Sequence, residues 1–527
     1  MRTRNLWYIA LPILMVVACV VNPAPAVAQM TSTGIDCSQI AALHLLQQDN
    51  MRAGLALMEC GVIPRPNPGG SGDGVEGDQA LPPNILVSNR TCTSGSSCTH
   101  SESNVWHSAK AGDNTIVVNY NDETGNGANY SGVSYSTDGG ATFTQITPSP
   151  FASGHSTNYG DPLVVYNLKL GLWFAGDLAT GCGGQGIGLW SSPDGQNWTS
   201  ASCAHNNSND DRPSMWVDNN PYSAVYGRMY VSFNNFNVNG GALQITHSDD
   251  GVTWTSMTLN GSFIRDVQVT GALPGPPPPQ VRYYSTVFVA SMDEGGGGLA
   301  TRQNVIYRSR DGGNTWTSSI TGPRFSPPGD GVCGYFAKMN PIWRHMGWGE
   351  PGVGPNGVVH YAYAAKGSLS TGDIFYVRST DNGSTWSSPL LLNDPETNQY
   401  QSHWMPSLSV NYNPAGFLPP GKVTVSWYDR RNATTACNVA TDPGCSYYRY
   451  GIQSADNGVS WGSNVQISDQ LIPEPTQNDP YIQSCYAGDY DYNTALGGTA
   501  YVTWTDGRVS VGGVQVQNVA FEAVPEP

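Results

Sequence analysis

One eight-residue phrase returns six times along the chain, most clearly as Ser309-Arg310-Asp311-Gly312-Gly313-Asn314-Thr315-Trp316 and Ser379-Thr380-Asp381-Asn382-Gly383-Ser384-Thr385-Trp386. Ser136…Asp138…Gly140…Thr142-Phe143 and Ser454…Asp456…Gly458…Ser460-Trp461 differ by one exchange. Two copies are degenerate: His247…Asp249…Gly251…Thr253-Trp254 lacks the serine, and Ser191…Asp194-Gly195…Trp198 has its aspartate displaced by one. An aspartate in a tight turn accepts from nearby backbone N–H groups, and a glycine shortly after supplies positive φ. The hydroxyl residue ties the turn to the returning strand, and the aromatic ring covers it. Asp138, Asp194, Asp249, Asp311, Asp381 and Asp456 are therefore assigned as structural turn residues.

The phrases start at 136, 191, 247, 309, 379 and 454, at intervals growing from 55 to 75 residues. Between them lie β-rich runs such as Ile116-Val117-Val118-Asn119-Tyr120 and Val423-Thr424-Val425-Ser426-Trp427-Tyr428. A period of this size filled with strands predicts an all-β propeller with four-stranded blades. Seven units are countable, with inner strands beginning near Asn104, Asp161, Arg212, Asp266, Asn340, His403 and Asp489. The last unit lacks the phrase and a fourth strand, which Asn84–Ser88 can supply, closing the ring and leaving no free edge. Six blades, with a terminal unit as decoration, is the alternative.

The pattern Ser-x-Asp-x-Gly-x-Thr-Trp resembles the Asp box of sialidases and related bacterial proteins, over residues 84–521. The resemblance implies a glycan as partner and a functional funnel on the face opposite the turns. It departs from true sialidases in having no Arg-Ile-Pro motif, the nearest phrase being Asp211-Arg212-Pro213, so exo-sialidase activity itself is not expected. The funnel face collects residues that start inner strands or end second strands. Asp211, Asp266 and Asp489 are the candidate catalytic carboxylates, and Asp161, Arg212, His403, Asp429, Arg430, Asp506 and Arg508 the candidate substrate-binding residues. Arg265, Glu294 and Arg431 belong to the wider set. Paired carboxylates about 5–5.5 Å or about 6.5–9.5 Å apart run retaining or inverting glycoside hydrolysis, and arginines clamp a substrate carboxylate. Tyr428-Asp429-Arg430-Arg431 and Thr505-Asp506-Gly507-Arg508 recur at equivalent blade positions, which equally suits a structural Asp–Arg pair. The alternative function is a non-catalytic surface or adhesion module. It would bind a protein through loops such as Pro274–Pro279 and Gly295–Gly298.

Only 12% of the 527 residues are charged, and the net charge of −16 disfavours nucleic acid and anionic membranes as partners. Residues 1–28 read as a secretory leader: Arg2 and Arg4 precede an apolar run from Leu6 to Val21, and Ala26-Val27-Ala28 offers a cleavage site. Lipidation at Cys19 is the alternative. The run holds Pro12, and no transmembrane anchor is expected. Loss of the leader leaves ten of 11 cysteines, an even set for an exported chain. The expected pairs are Cys37–Cys60, Cys92–Cys98, Cys182–Cys203, Cys437–Cys445 and, near the central channel, Cys333–Cys485. No zinc-like Cys/His spacing occurs, and no metal or cofactor is expected. Residues 29–63 read as short helices clipped by a disulfide, either a handle for interaction or a cap on the first blade. Residues 64–83 read as a Gly/Pro-rich linker, and 522–527 as a frayed tail.

Overall fold

Runs such as Ile116–Asp122 and Val423–Asp429 are unbroken apolar stretches because both of their faces are covered: every residue in each is buried. They are the second strands of their sheets, sandwiched between neighbouring blades. Outer strands are the opposite, and Thr255–Phe263 has no buried residue. In a computed structural model, residues 29–65, 84–88, 99–123, 129–272, 283–339, 343–344, 347–411, 421–476, 482–511 and 514–527 are described. The expected leader, most of the linker, Cys92–Cys98, Asn340 and Pro274–Pro279 lie outside these residues.

The chain forms a seven-bladed β-propeller of four-stranded blades. Inner strands of blades one to six are His100–His107, Leu163–Asn167, Asp210–Val217, Arg265–Ala272, Glu350–Val353 and His403–Val410. Blade seven runs Thr494–Leu496, Thr499–Asp506 and Asn518–Pro525, and is completed by Ile85–Leu86 from the N-terminal side. Asp491–Tyr492, just before that blade, pairs in parallel with the inner strand of blade one. The ring is thus sealed twice between its two chain ends.

Three expectations about this architecture need correcting. The fifth inner strand begins at Glu350, about ten residues after Asn340 (by sequence number); a small hairpin of Gly331–Cys333 and Phe336–Lys338 precedes both. The seventh begins at Thr494; Asp489 precedes it. The tail is not frayed: Val524 and Pro525 pair with Ala500 and Thr499, and the Glu526 carboxylate accepts from Asn411 Nδ2 at 2.7 Å and Thr424 Oγ1 at 3.1 Å.

The repeated turns join third to fourth strands. Asp311 Oδ1 accepts from the backbone N–H of Asn314 and Thr315 at 3.0 and 2.9 Å, and Oδ2 from Thr315 Oγ1 at 2.6 Å. The turns also clamp neighbouring blades: Arg228 donates to Gly312 O, Arg378 to Asn457 O, and Ser319 to Gly383 O. The two degenerate copies are the same turn shortened by one residue. Gly195 N–H reaches Ser192 Oγ and Gly251 N–H reaches Ser248 Oγ, three residues back, where Gly313 N–H reaches Ser309 Oγ four residues back. In blade three the turn carboxylate is therefore Asp250, which accepts from Val252 and Thr253 N–H, both at 2.8 Å. Asp249 instead pairs with Arg228 at the surface. Asp250→Ala should cost about 1–2 kcal/mol, as a lost capping acceptor does, and Asp249→Ala at most about 0.5 kcal/mol. Chemical denaturation of the two variants reads the difference; equal losses would restore Asp249 to the turn.

Candidate functional site

Four inner strands break register at the same point: between Ser101 and Asn104, Asp211 and Ser214, Arg265 and Gln268, and Trp404 and Ser407. At each break one side-chain-bearing residue takes positive φ: Glu102 (50°), Arg212 (56°), Asp266 (57°) and Met405 (50°). Asp161 (64°) does so just ahead of the second inner strand. Such backbone costs of order 1–3 kcal/mol per residue and concentrates at functional sites, and a bulge redirects the side chain it carries. Pro162, Pro213 and Pro406 follow three of these residues, in keeping with a proline that cannot donate to a ladder.

The ring is stitched blade to blade through these bulges. Arg212 N–H donates to Asp161 Oδ2 (2.9 Å), Gly349 N–H to Asp266 Oδ2 (3.2 Å), and Asp489 N–H to Glu102 Oε1 (3.0 Å). Asp266 also accepts from Tyr361 Oη at 2.8 Å. Three arginines share the centre. Arg265 Nη1 donates to Asp211 Oδ2 at 2.7 Å, and Arg344 clasps Asp489 through Nε and Nη2, the latter at 2.6 Å. The Arg212 guanidinium stacks 4.2 Å from the Trp348 ring and 3.7 Å from that of Tyr490. None of these arginines or ring carboxylates is more than 6% exposed. The Cys333–Cys485 disulfide borders this group, with Cys485 O accepting from Arg344 N–H. Beyond the ring the channel opens into a space of about 120 Å³ bordered by Asn104, Ser214, Gln268, Glu350, Tyr492 and Asn493.

The N-terminal segment does not cap blade one. Its helix, Met51–Glu59, buries Met51 in a core shared with Leu163, Met215 and Tyr486, over blades two and three. The turn before it, Gln48–Asn50, fills the centre of the ring. Asp49 Oδ2 lies 2.8 Å from Arg265 Nη2 and 3.7 Å from Arg212 Nε, and Asp49 O accepts from Arg344 Nη2 at 2.8 Å. Asn50 Nδ2 donates to Asp211 Oδ1 at 2.7 Å, while its Oδ1 caps the helix at Ala53 N–H.

Burial and crowding separate the carboxyl groups. Asp49 is held below its ordinary range, because Arg265 and then Arg212 overcome the cost of burial. Asp161 is pushed well above it, by burial and then by Asp49, Asp211 and Glu102. Burial raises Asp211 to about 8, helped by Asp49 and opposed by Arg265. It raises Asp266 to about 7 against Arg212, and Asp489 to about 6 against Arg344. Carboxylate oxygens of Asp49, Asp161 and Asp211 lie within 4.8 Å of one another. Their counter-charge comes from Arg212 and Arg265.

The remaining candidates sit away from this group, at the rims of blades six and seven. Asp429 accepts from Trp427 Nε1 and from Arg431 Nε and Nη2; Asp506 accepts from Trp504 Nε1 and Arg508 Nε. These are local Trp-x-Asp-x-Arg knots at strand ends, and they engage Asp429, Asp506 and Arg508 within their own blades. Arg430 stacks 5.2 Å from Trp404. His403 is buried among Asp429, Asp373 and Glu396. Burial disfavours its charge, but Asp429 and then the other two carboxylates outweigh it and raise His403 to about 9. With a folded pKa above the unfolded value, this pair stabilises fully below about pH 6.5. It should lose roughly 3 kcal/mol as pH rises toward 9. His403→Gln should flatten that alkaline limb in denaturation titrations; an unchanged limb would place the titration elsewhere.

Asp161, Asp211, Arg212, Asp266 and Asp489 are thus brought together, joined by Asp49, Glu102, Arg344, Trp348 and Tyr490, none of which was among the sequence candidates. A usable signal existed for part of this set: Asp161-Pro162, Arg212-Pro213, Glu350-Pro351 and Met405-Pro406 all begin inner strands. Asp49 had none, lying outside the repeats.

No protein-family model and no curated protein sequence matches the chain. Among solved structures, a Dyadobacter fermentans protein of unknown function aligns at 12% identity, over 84% of this chain and 98% of its own, with a TM-score of 0.39. A Hadza microbial sialidase aligns at 14% identity over 81% and 66%, TM-score 0.37. A Fusarium graminearum α-L-arabinofuranosidase aligns at 10% identity over 81% and 93%, TM-score 0.35. These are distant likenesses, and the assignments of residues rest on the geometry above.

Proposed function

We propose that the chain is an exported glycan-binding or glycan-hydrolysing propeller. Its sugar site is the charged ring at the propeller centre, at the strand ends away from the Ser-x-Asp turns. The observation that carries this reading is the set of positive-φ residues at the inner-strand starts, which gathers Glu102, Asp161, Arg212 and Asp266 around one axis at a standing cost in backbone strain. Trp348 and Tyr490 stack on the Arg212 guanidinium and hold it at the axis. Four disulfides among the described residues fit an oxidising compartment, and no described helix is long and apolar enough to cross a membrane.

In this reading Asp161 and Asp211 are the acid pair. Asp161, held well above the ordinary carboxylate range by burial and its acidic neighbours, carries the proton for a leaving-group oxygen, and Asp211, raised to about 8, ionises to face it as pH rises toward 8. Their separation is short of the gap of about 6.5–9.5 Å that admits a water, which favours the retaining geometry. Asp266 and Asp489 position Tyr361 and Arg344. A glycan array and a panel of aryl glycosides test the reading, applied to the intact chain and to chain cut between residues 65 and 84. Asp161→Asn or Asp211→Asn should lower turnover about 10²–10⁴-fold with binding retained. Absence of binding and turnover in both forms would overturn it.

A further inference from the structure

The ring described above does not stand open: a piece of the same chain sits in it. We propose that residues 29–65 form an inhibitory plug whose Asp49 carboxylate occupies an anion site made by Arg212, Arg265 and Arg344, and that a sugar carrying a carboxylate displaces it. The inference rests on the central ring being the glycan site and names that site's ligand class and control.

Three observations carry it. The first is convergence: all three arginines address Asp49, two at its carboxylate and Arg344 at its carbonyl. The second is an incomplete fit. Among the described residues, both Asp49 carboxylate oxygens, Arg212 Nε and Nη1, and Arg265 Nε and Nη2 are buried without a hydrogen bond. The 2.8 Å approach of Arg265 Nη2 is thus an ion pair off the hydrogen-bond line. Buried guanidinium donors are better satisfied by a carboxylate free to align two parallel N–H···O bonds, which an aspartate tethered at a helix start cannot reorient to make. The third is the tether. The disulfide Cys37–Cys60 closes within the segment and uses both of its cysteines, and the other three disulfides among the described residues lie within the propeller. One cut between 65 and 84 therefore leaves the plug held by non-covalent contacts alone, chiefly Met51, the Asp49 pairs and Gln48 Nε2 to Asn209 Oδ1 at 2.7 Å.

The test uses the full chain with a protease site introduced between residues 66 and 83. After cutting, release of the fragment is timed by size-exclusion chromatography with D-glucuronic acid or D-glucose, which differ at one carbon by the carboxylate. Glucuronic acid is expected to speed release by about tenfold or more while glucose does not, and Asp49→Ala is expected to do the same without sugar. Met51→Ala, which loosens the plug without touching an arginine, should speed basal release and keep the response to glucuronic acid. Release indifferent to both glucuronic acid and Asp49→Ala overturns the proposal. Equal acceleration by the two sugars also overturns it, yet leaves the central ring a glycan site. A freed, folded propeller that binds neither these sugars nor any arrayed glycan removes both readings.

Discussion

Replacing Arg265 with methionine should destabilise the folded chain by about 3–5 kcal/mol. Arg265 is fully buried and faces two carboxylates at once, Asp211 at 2.7 Å and Asp49 at 2.8 Å. Methionine of similar length fills the space, so the loss is electrostatic and not a cavity. What it leaves is worse than a broken pair: Asp49, Asp161 and Asp211 crowd together with Arg212 as the nearest remaining cation. Adding Asp211→Asn to Arg265→Met should recover part of the loss, because it removes one stranded charge. The double-mutant cycle, measured by chemical denaturation, should show coupling of about 1–3 kcal/mol. Additive losses would mean that the two groups do not share one dry site.

Removing the Cys333–Cys485 bridge should have an effect of the same size by another route. The bridge spans 152 residues, and the chain-entropy relation assigns a closure of that length about 5 kcal/mol. Cys437–Cys445 spans 8, for about 2.5 kcal/mol. Cys333→Ala with Cys485→Ala should therefore lower stability about twice as much as the corresponding change at Cys437 and Cys445. It should also loosen the centre, since Cys485 O and Gln483 Oε1 accept from Arg344 N–H and Nη1. Denaturation of the two double variants checks the ratio. A larger loss at the short bridge would show that loop-closure entropy of the unfolded chain does not set the difference.

The blades were legible because their signals are local and repeated. A turn spelled Ser-x-Asp-x-Gly needs only neighbouring residues, and a doubly covered strand such as Val423–Asp429 reads as an apolar run. The closing strand at Ile85–Leu86 was legible from the want of a fourth strand in the last unit. The turn of blade three was misread by one residue because spacing was held at eight when the hydrogen bonds allow seven. Strand starts picked out Asp161, Asp211, Arg212, Asp266 and Asp489, which the fold gathers around the axis. The same rule also drew in Asp429, Asp506 and Arg508, which the fold places in carboxylate–guanidinium knots closed two residues apart in blades six and seven. Arg344 and Asp49 were beyond reach. One lies in an irregular connection and the other in a segment outside the repeats, and their meeting depends on the closed ring.

The most direct measurement is a crystal structure of the cut, plug-free propeller soaked with D-glucuronic acid. The sugar is expected at the propeller axis. Its carboxylate should take the place of Asp49 within about 3 Å of at least two of Arg212, Arg265 and Arg344, with Asp161 and Asp211 beside the ring. A sugar bound only at the rim, or an axis that stays free of sugar while the arginines turn to Asp211 and Asp489, would contradict it.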